Sequence, residues 1–187
     1  MGQDENLRNR CARGEFYSYG TAKIFEKRAK DIGRRLKAIT FLGLLSPVLA
    51  GGIAMTFSAE SSFLNKIVFP ALSIVLLSQS VLSLLSLCYK WEEKHSYSLW
   101  AIKNNNKLFN KFSRLSGESD AAIAKKISDY EDEYDHQEAE DSSQGITDKE
   151  ERYGMRKTLI YFGKACKTCN EKPTSIKPTD CDTCGNF

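Results

Sequence analysis

Two long blocks of this chain carry no formal charge, Ala38–Ala59 with 22 residues and Ile67–Tyr89 with 23. At about 1.5 Å rise per residue, either block crosses a hydrocarbon core roughly 30 Å thick as a helix. The second is the more apolar, holding thirteen Leu, Ile, Val or Phe against nine in the first. Pro47, Gly51 and Gly52 in the first block predict a kink near Ser46-Pro47 and a close approach of another helix. Helices buried inside a soluble protein seldom stay uncharged for more than about 18 residues, so the pattern predicts two membrane crossings. The seven residues Glu60–Lys66 between the blocks suffice only for a tight antiparallel hairpin with this segment as its external loop.

A polar stripe runs along the second block. Ser73, Gln79, Ser80, Ser83 and Ser86 fall within an arc of about 140° at 100° per residue. Such a stripe either hydrogen-bonds another helix or lines a water path, and the leucines interrupting it favour the first on the residues alone. Neither block contains an Asp, Glu, Lys, Arg or His, so a proton relay or coupled transporter has no machinery here.

Cations flank both blocks on their outer ends, among them Lys27, Arg28, Lys30, Arg34, Arg35 and Lys37 before the first and Lys90, Lys94, Lys103 and Lys107 after the second. The connecting loop offers only Lys66, which places both termini in the cytoplasm. Residues 1–14 read as a flexible N-terminus and 15–37 as a basic amphipathic helix. In the latter Phe25, Ala29, Ile32 and Leu36 keep alternating three- and four-residue steps, a seam that joins like helices into an oligomer or lies on anionic headgroups. Residues 90–141 read as a cytoplasmic helical region in which the second membrane helix continues, weakened at Asn104-Asn105-Asn106. A further helix starts near Ser119 or Asp120, with Ile123, Ile127, Tyr130 and Tyr134 as its apolar stripe. Its acidic far end is expected to fray, and residues 142–160 read as a linker.

Charge sharpens this division. The net charge of +3 hides 10 Lys/Arg against 5 Asp/Glu in residues 1–37 and 2 against 10 in residues 118–141. A basic arm and an acidic helix on one side of a membrane can pair within a protomer, pair between protomers, or meet anionic lipid and a basic partner. No signal peptide is expected, because some 37 polar residues precede the first block. Asn6 stands where a myristoylation site needs Ser or Thr.

The end of the sequence carries the strongest chemical signal. Cys166-Lys-Thr-Cys169, eleven residues, then Cys181-Asp-Thr-Cys184 present four thiolates able to surround one tetrahedral ion. In a reducing cytoplasm the alternative of paired disulfides is disfavoured, and zinc is favoured over iron. Four sulfurs leave no open coordination position, so the role is structural: the ion folds a 161–187 tail too poor in apolar surface to fold alone. Lys164, Lys167, Lys172 and Lys177 lend it positive surface, but Glu171, Asp180 and Asp182 are interspersed. Protein recognition is therefore favoured over nucleic acid. Cys11 and Cys88 stand apart and read as unliganded. No catalytic constellation or phosphate-cradling glycine loop is present, and an enzyme is not expected.

A basic helix ending Arg34-Arg35-Leu36-Lys37, a first span, a short loop, a second span and a long helix together resemble the SLATT (SMODS and SLOG-associating two-transmembrane effector) domain family. Cys166, Cys169, Cys181 and Cys184 match the spacing of the CxxC-x11-CxxC proteins carried on bacterial mobile elements. The resemblance implies an all-α membrane protein of the bacterial inner membrane, a two-helix transmembrane hairpin with cytoplasmic helices and a small C-terminal zinc knuckle. It also implies an effector that oligomerises and permeabilises or depolarises the membrane when a sensor or nucleotide-signalling protein encoded nearby detects infection.

Overall fold

The computed structural model describes residues 3–56 and 64–187 and is helical throughout its regular structure. Helix α1 runs Gln3–Thr56, a π-helical turn Leu64–Val68 leads into α2 at Phe69–Cys88, and α3 (Trp91–Leu115), α4 (Asp120–Ser142) and α5 (Asp148–Phe162) follow. The chain forms two compact units, Met1–Arg28 with Tyr97–Phe187 and Ala29–Ser96. The expected external loop lies largely outside the described residues, apart from its last three, which belong to the π-helical turn.

The first unit is a helical core built on the stripe expected of α4. Ile123 and Ile127 pack with Cys11, Leu108, Phe112 and Leu115, flanked by Leu7, Tyr130 and Tyr134. Gly14 admits the Phe112 ring, which would lie 2.6 Å from a Cβ placed there. A second glycine approach joins α1 to α5: a Cβ on Gly154 would stand 3.0 Å from the Gly20 carbonyl and 2.7 Å from Ile24. Around these contacts the basic arm and the acidic helix pair within the chain. Arg8 binds Asp120 at 2.8 Å and Arg10 binds Glu131, while from α3 Lys111 binds Glu133.

Several expectations are corrected in this unit. Residues 3–14 are not a flexible N-terminus but the start of α1, which begins at Gln3 and fully buries Cys11. The 142–160 linker is mostly helix: Thr147 caps α5 through a capping box with Glu150, and Gly163 ends it in the left-handed conformation at φ 61°. The acidic end of α4 does not fray, because Asp141 is buried and accepts hydrogen bonds from Asn105 at 2.7 Å, Tyr97 at 2.8 Å and Gln137 at 3.0 Å. The same bond turns Asn105 from a weak point into an anchor, since its amide also donates to Ala101 O at 3.0 Å.

In the second unit α1 continues unbroken through Pro47 to Thr56. Among the described residues one helical stretch, Lys66–Cys88, is long and apolar enough to cross a membrane, and none of its most apolar window is buried. The expected continuation of this helix into 90–141 is corrected, because Lys90 turns left-handed at φ 52° and separates α2 from α3. The oligomerisation seam is also corrected. Phe25 is fully buried in the first unit beside Tyr97, ring centroids 5.6 Å apart, and Ala29 and Ile32 are buried in the second. Leu36 alone of the four stays partly open, so the seam is occupied within the chain.

Candidate metal centre

The tail after α5 contains no regular element, and its order comes from turns around the cysteines. In each CxxC pair a backbone bond closes the turn: Asn170 N–H donates to Cys166 O and Gly185 N–H to Cys181 O, both at 2.8 Å. The two turns match residue for residue, and the hydroxyls of the equivalent Thr168 and Thr183 meet at 2.6 Å. Gly185 is required by space, because a side chain there would collide with the Thr179 carbonyl.

This pairing brings the four sulfurs together. Cys166 and Cys181 Sγ are 3.9 Å apart, Cys169 and Cys184 Sγ 3.8 Å, and all four lie within 4.8 Å of one another. Sulfurs at about 2.3 Å from a tetrahedral ion stand about 3.8 Å from each other, so the cluster fits one ion. No His or carboxylate joins the cluster among the described residues. All four cysteines singled out in the sequence are therefore brought to one site that could hold a metal ion.

The electrostatics suit thiolates. Burial pushes the Cys166 thiol up, but the backbone N–H groups of Cys169 and Thr168, with the neighbouring thiols, outweigh it and hold the pKa at about 7. Cys181 is lowered by the N–H groups of Thr183 and Cys184. Burial raises Cys184, as expected of four sulfurs that cannot all ionise until a cation is present.

The knuckle is fastened to α5. Cys166 and Cys184 pack on Leu159, with Phe16 and Met155 beside them. Arg152 donates to Asp182 O at 2.9 Å and Asn186 O at 3.2 Å, and buried Arg156 donates to Ser175 O at 2.7 Å. At the chain end Lys27 sits 4.3 Å from the Tyr153 ring centroid, and the Phe187 ring stands edge-on to Tyr153 at 5.6 Å. The two arginines were missed in the sequence, since nothing in their spacing ties them to the cysteines. The repeated CxTC that aligns the two threonines was a visible signal.

The polar stripe of α2 is only partly gathered. Gln79 accepts from Ser46 Oγ at 2.9 Å, and Ser83 and Ser86 border a cleft with Leu36, Ile39 and Thr40 of α1. Ser73 and Ser80 are exposed and donate back to Phe69 O and Leu76 O, each at 2.9 Å.

No curated protein and no solved structure matches the chain. A family profile described as "Mobilome CxxCx(11)CxxC protein" matches residues 8–187, from the first turns of α1 through the knuckle. The chain belongs to the mobilome CxxCx(11)CxxC family.

Proposed function

We propose that the chain is a two-transmembrane effector of a bacterial anti-phage or mobile-element conflict system, a member of the SLATT class. It assembles as a homo-oligomer in the inner membrane with both termini cytoplasmic, and permeabilises or depolarises that membrane when a partner or signal activates it. It is not an enzyme in this reading. The observation that carries the membrane assignment is that α2 buries no residue at all, with Ile74, Leu77, Leu84 and Leu87 more than half exposed. In water, each such side chain forgoes about 1.5 to 3 kcal/mol of burial, whereas hydrocarbon accepts it. On α1 of the same unit, Phe41, Leu44 and Val48 are equally open, which supports a second crossing through Ala38–Ala59. The ion in the knuckle is zinc, held for structure.

Triggered expression should collapse the membrane potential. Intact potential in cells that carry the inserted protein rejects the effector reading. A second reading, a non-conducting tether or regulatory subunit whose knuckle recruits a protein or nucleic acid, is favoured by the Ser46–Gln79 bond, which occupies part of the polar stripe inside the chain.

A further inference from the structure

A groove of about 560 Å³ runs between the N-terminal part of α1 and the knuckle, bordered by Arg13, Phe16, Leu159, Lys164, Lys167 and Thr183. Its volume is that of a small-molecule site. Several cations of this unit meet carboxylates, among them Arg8, Arg10, Arg28 and Lys111. Arg13 and Lys167 have no hydrogen bond or ion pair among the described residues, and Lys164 meets only the Phe16 and Phe162 rings, at 5.5 and 5.7 Å. The knuckle's acids Glu171, Asp180 and Asp182 do not border the groove. Three cations from two stretches of chain, α1 and the segment that follows α5, therefore border one groove with no carboxylate among its lining residues.

The walls are not uniformly polar. Phe16, Met155 and Leu159 supply an aromatic and aliphatic surface, which suits a flat ring. Phe16, Tyr17 and Met155 also border a neighbouring cavity of about 260 Å³ whose polar groups include Asn105, Glu138, Asp141 and Glu151. That cavity has the opposite sign, so an anion is held to the knuckle side. One carboxylate would engage a single guanidinium or ammonium, whereas a phosphate chain uses several at once.

We propose that this groove binds a nucleotide, its phosphates between Arg13, Lys164 and Lys167 and its base against Phe16 and Leu159. Lys167 and Thr183 lie inside the two CxxC turns, so the ordered knuckle forms one wall. The proposal stands whether or not the hairpin conducts.

The test is calorimetric titration of ATP, GTP, CTP and UTP into the full, metal-loaded chain in detergent micelles, with inorganic phosphate and adenosine as partial probes. At least one nucleoside triphosphate should bind, and Arg13→Gln with Lys167→Gln should weaken it about tenfold or more through lost charge-assisted bonds. Lys125→Gln with Lys149→Gln removes the same charge from exposed positions on α4 and α5 and should leave affinity within about twofold. Absence of binding by all four nucleotides overturns the proposal, as does an equal loss in both double variants. Phosphate binding as tightly as the nucleotides also overturns it, reducing the groove to an anion site. Circular dichroism and zinc content of each variant verify that it is folded and loaded.

Discussion

From inside the helical core, Arg156 donates through Nη1 to the carbonyl of Cys184 at 3.2 Å, so a metal-site residue is held by the same guanidinium whose Nε reaches Ser175 O. Arg156 is 6% exposed and is satisfied by carbonyls and the Thr179 hydroxyl. Arg156→Met leaves the buried Cys184 carbonyl without its donor, at a cost of about 1 to 3 kcal/mol. Groups that orient ligands typically carry about 10- to 100-fold of metal affinity. Competition with a chromogenic chelator should therefore show weaker zinc binding by Arg156→Met, while Arg156→Lys, too short to serve all three acceptors, falls between. An unchanged affinity would mean the tail holds its ion without help from α5.

Removing the ion tests the knuckle itself. The tail has no regular helix or strand beyond Gly163, and its apolar contact with α5 is made by Cys166 and Cys184 on Leu159. Chelation, or Cys169→Ser, should expose residues 163–187 to limited proteolysis while the protein stays in the membrane fraction. A tail equally protected before and after chelation would end the metal reading.

What the sequence showed follows from the kind of signal each element carries. The α4 stripe was legible because Ile123, Ile127, Tyr130 and Tyr134 are apolar at helical spacing. Helix α5 was not, because its buried face consists of Gly154, Arg156, Thr158 and Leu159, a single aliphatic side chain among them, with glycine there for close approach and arginine for carbonyls. The capping box Thr147–Glu150 and the stop at Gly163 were its readable marks. Likewise Cys11, Gly14 and Ser18 of α1 are buried but too small to print a hydrophobic period. The cysteine site was fully legible, since four ligands at fixed spacing need no knowledge of the surrounding fold.

Acid should weaken the junction between α1 and α5. Burial raises the Glu150 pKa, but bonds from Arg28 at 2.6 and 2.8 Å and from the Thr147 cap outweigh it, so the carboxylate titrates below its ordinary 4.5. A lowered folded-state pKa contributes stability that is present above about 4.5 and lost as pH falls through the folded value. Glu150→Gln should cost about 1 to 3 kcal/mol at pH 7, and the gap to wild type should close towards pH 3. Asp141 runs the other way, its pKa raised by burial, but it is common to both chains and cancels in the difference. A gap constant across this range in denaturant titrations would remove Glu150 as the acid-sensitive contact.

If the proposed effector conducts, its ion path depends on which half of the α2 stripe is open. Gln79 is partly buried and bonded to Ser46, and Gly43 leaves room for it, with Gln79 Nε2 3.1 Å from the Cβ position. In hydrocarbon such a bond contributes about 0.6 to 2 kcal/mol to pairing of the two helices. Gln79→Leu should thus loosen the hairpin, read as a larger separation between spin labels on α1 and α2. Ser73 and Ser80, exposed and bonded only to their own helix, are the groups left to face water or a neighbouring copy. Ser73→Leu with Ser80→Leu should abolish or alter ion flux in proteoliposomes while insertion is unchanged. A tether would keep its function with both substitutions, and flux identical to wild type would place any ion path away from this face.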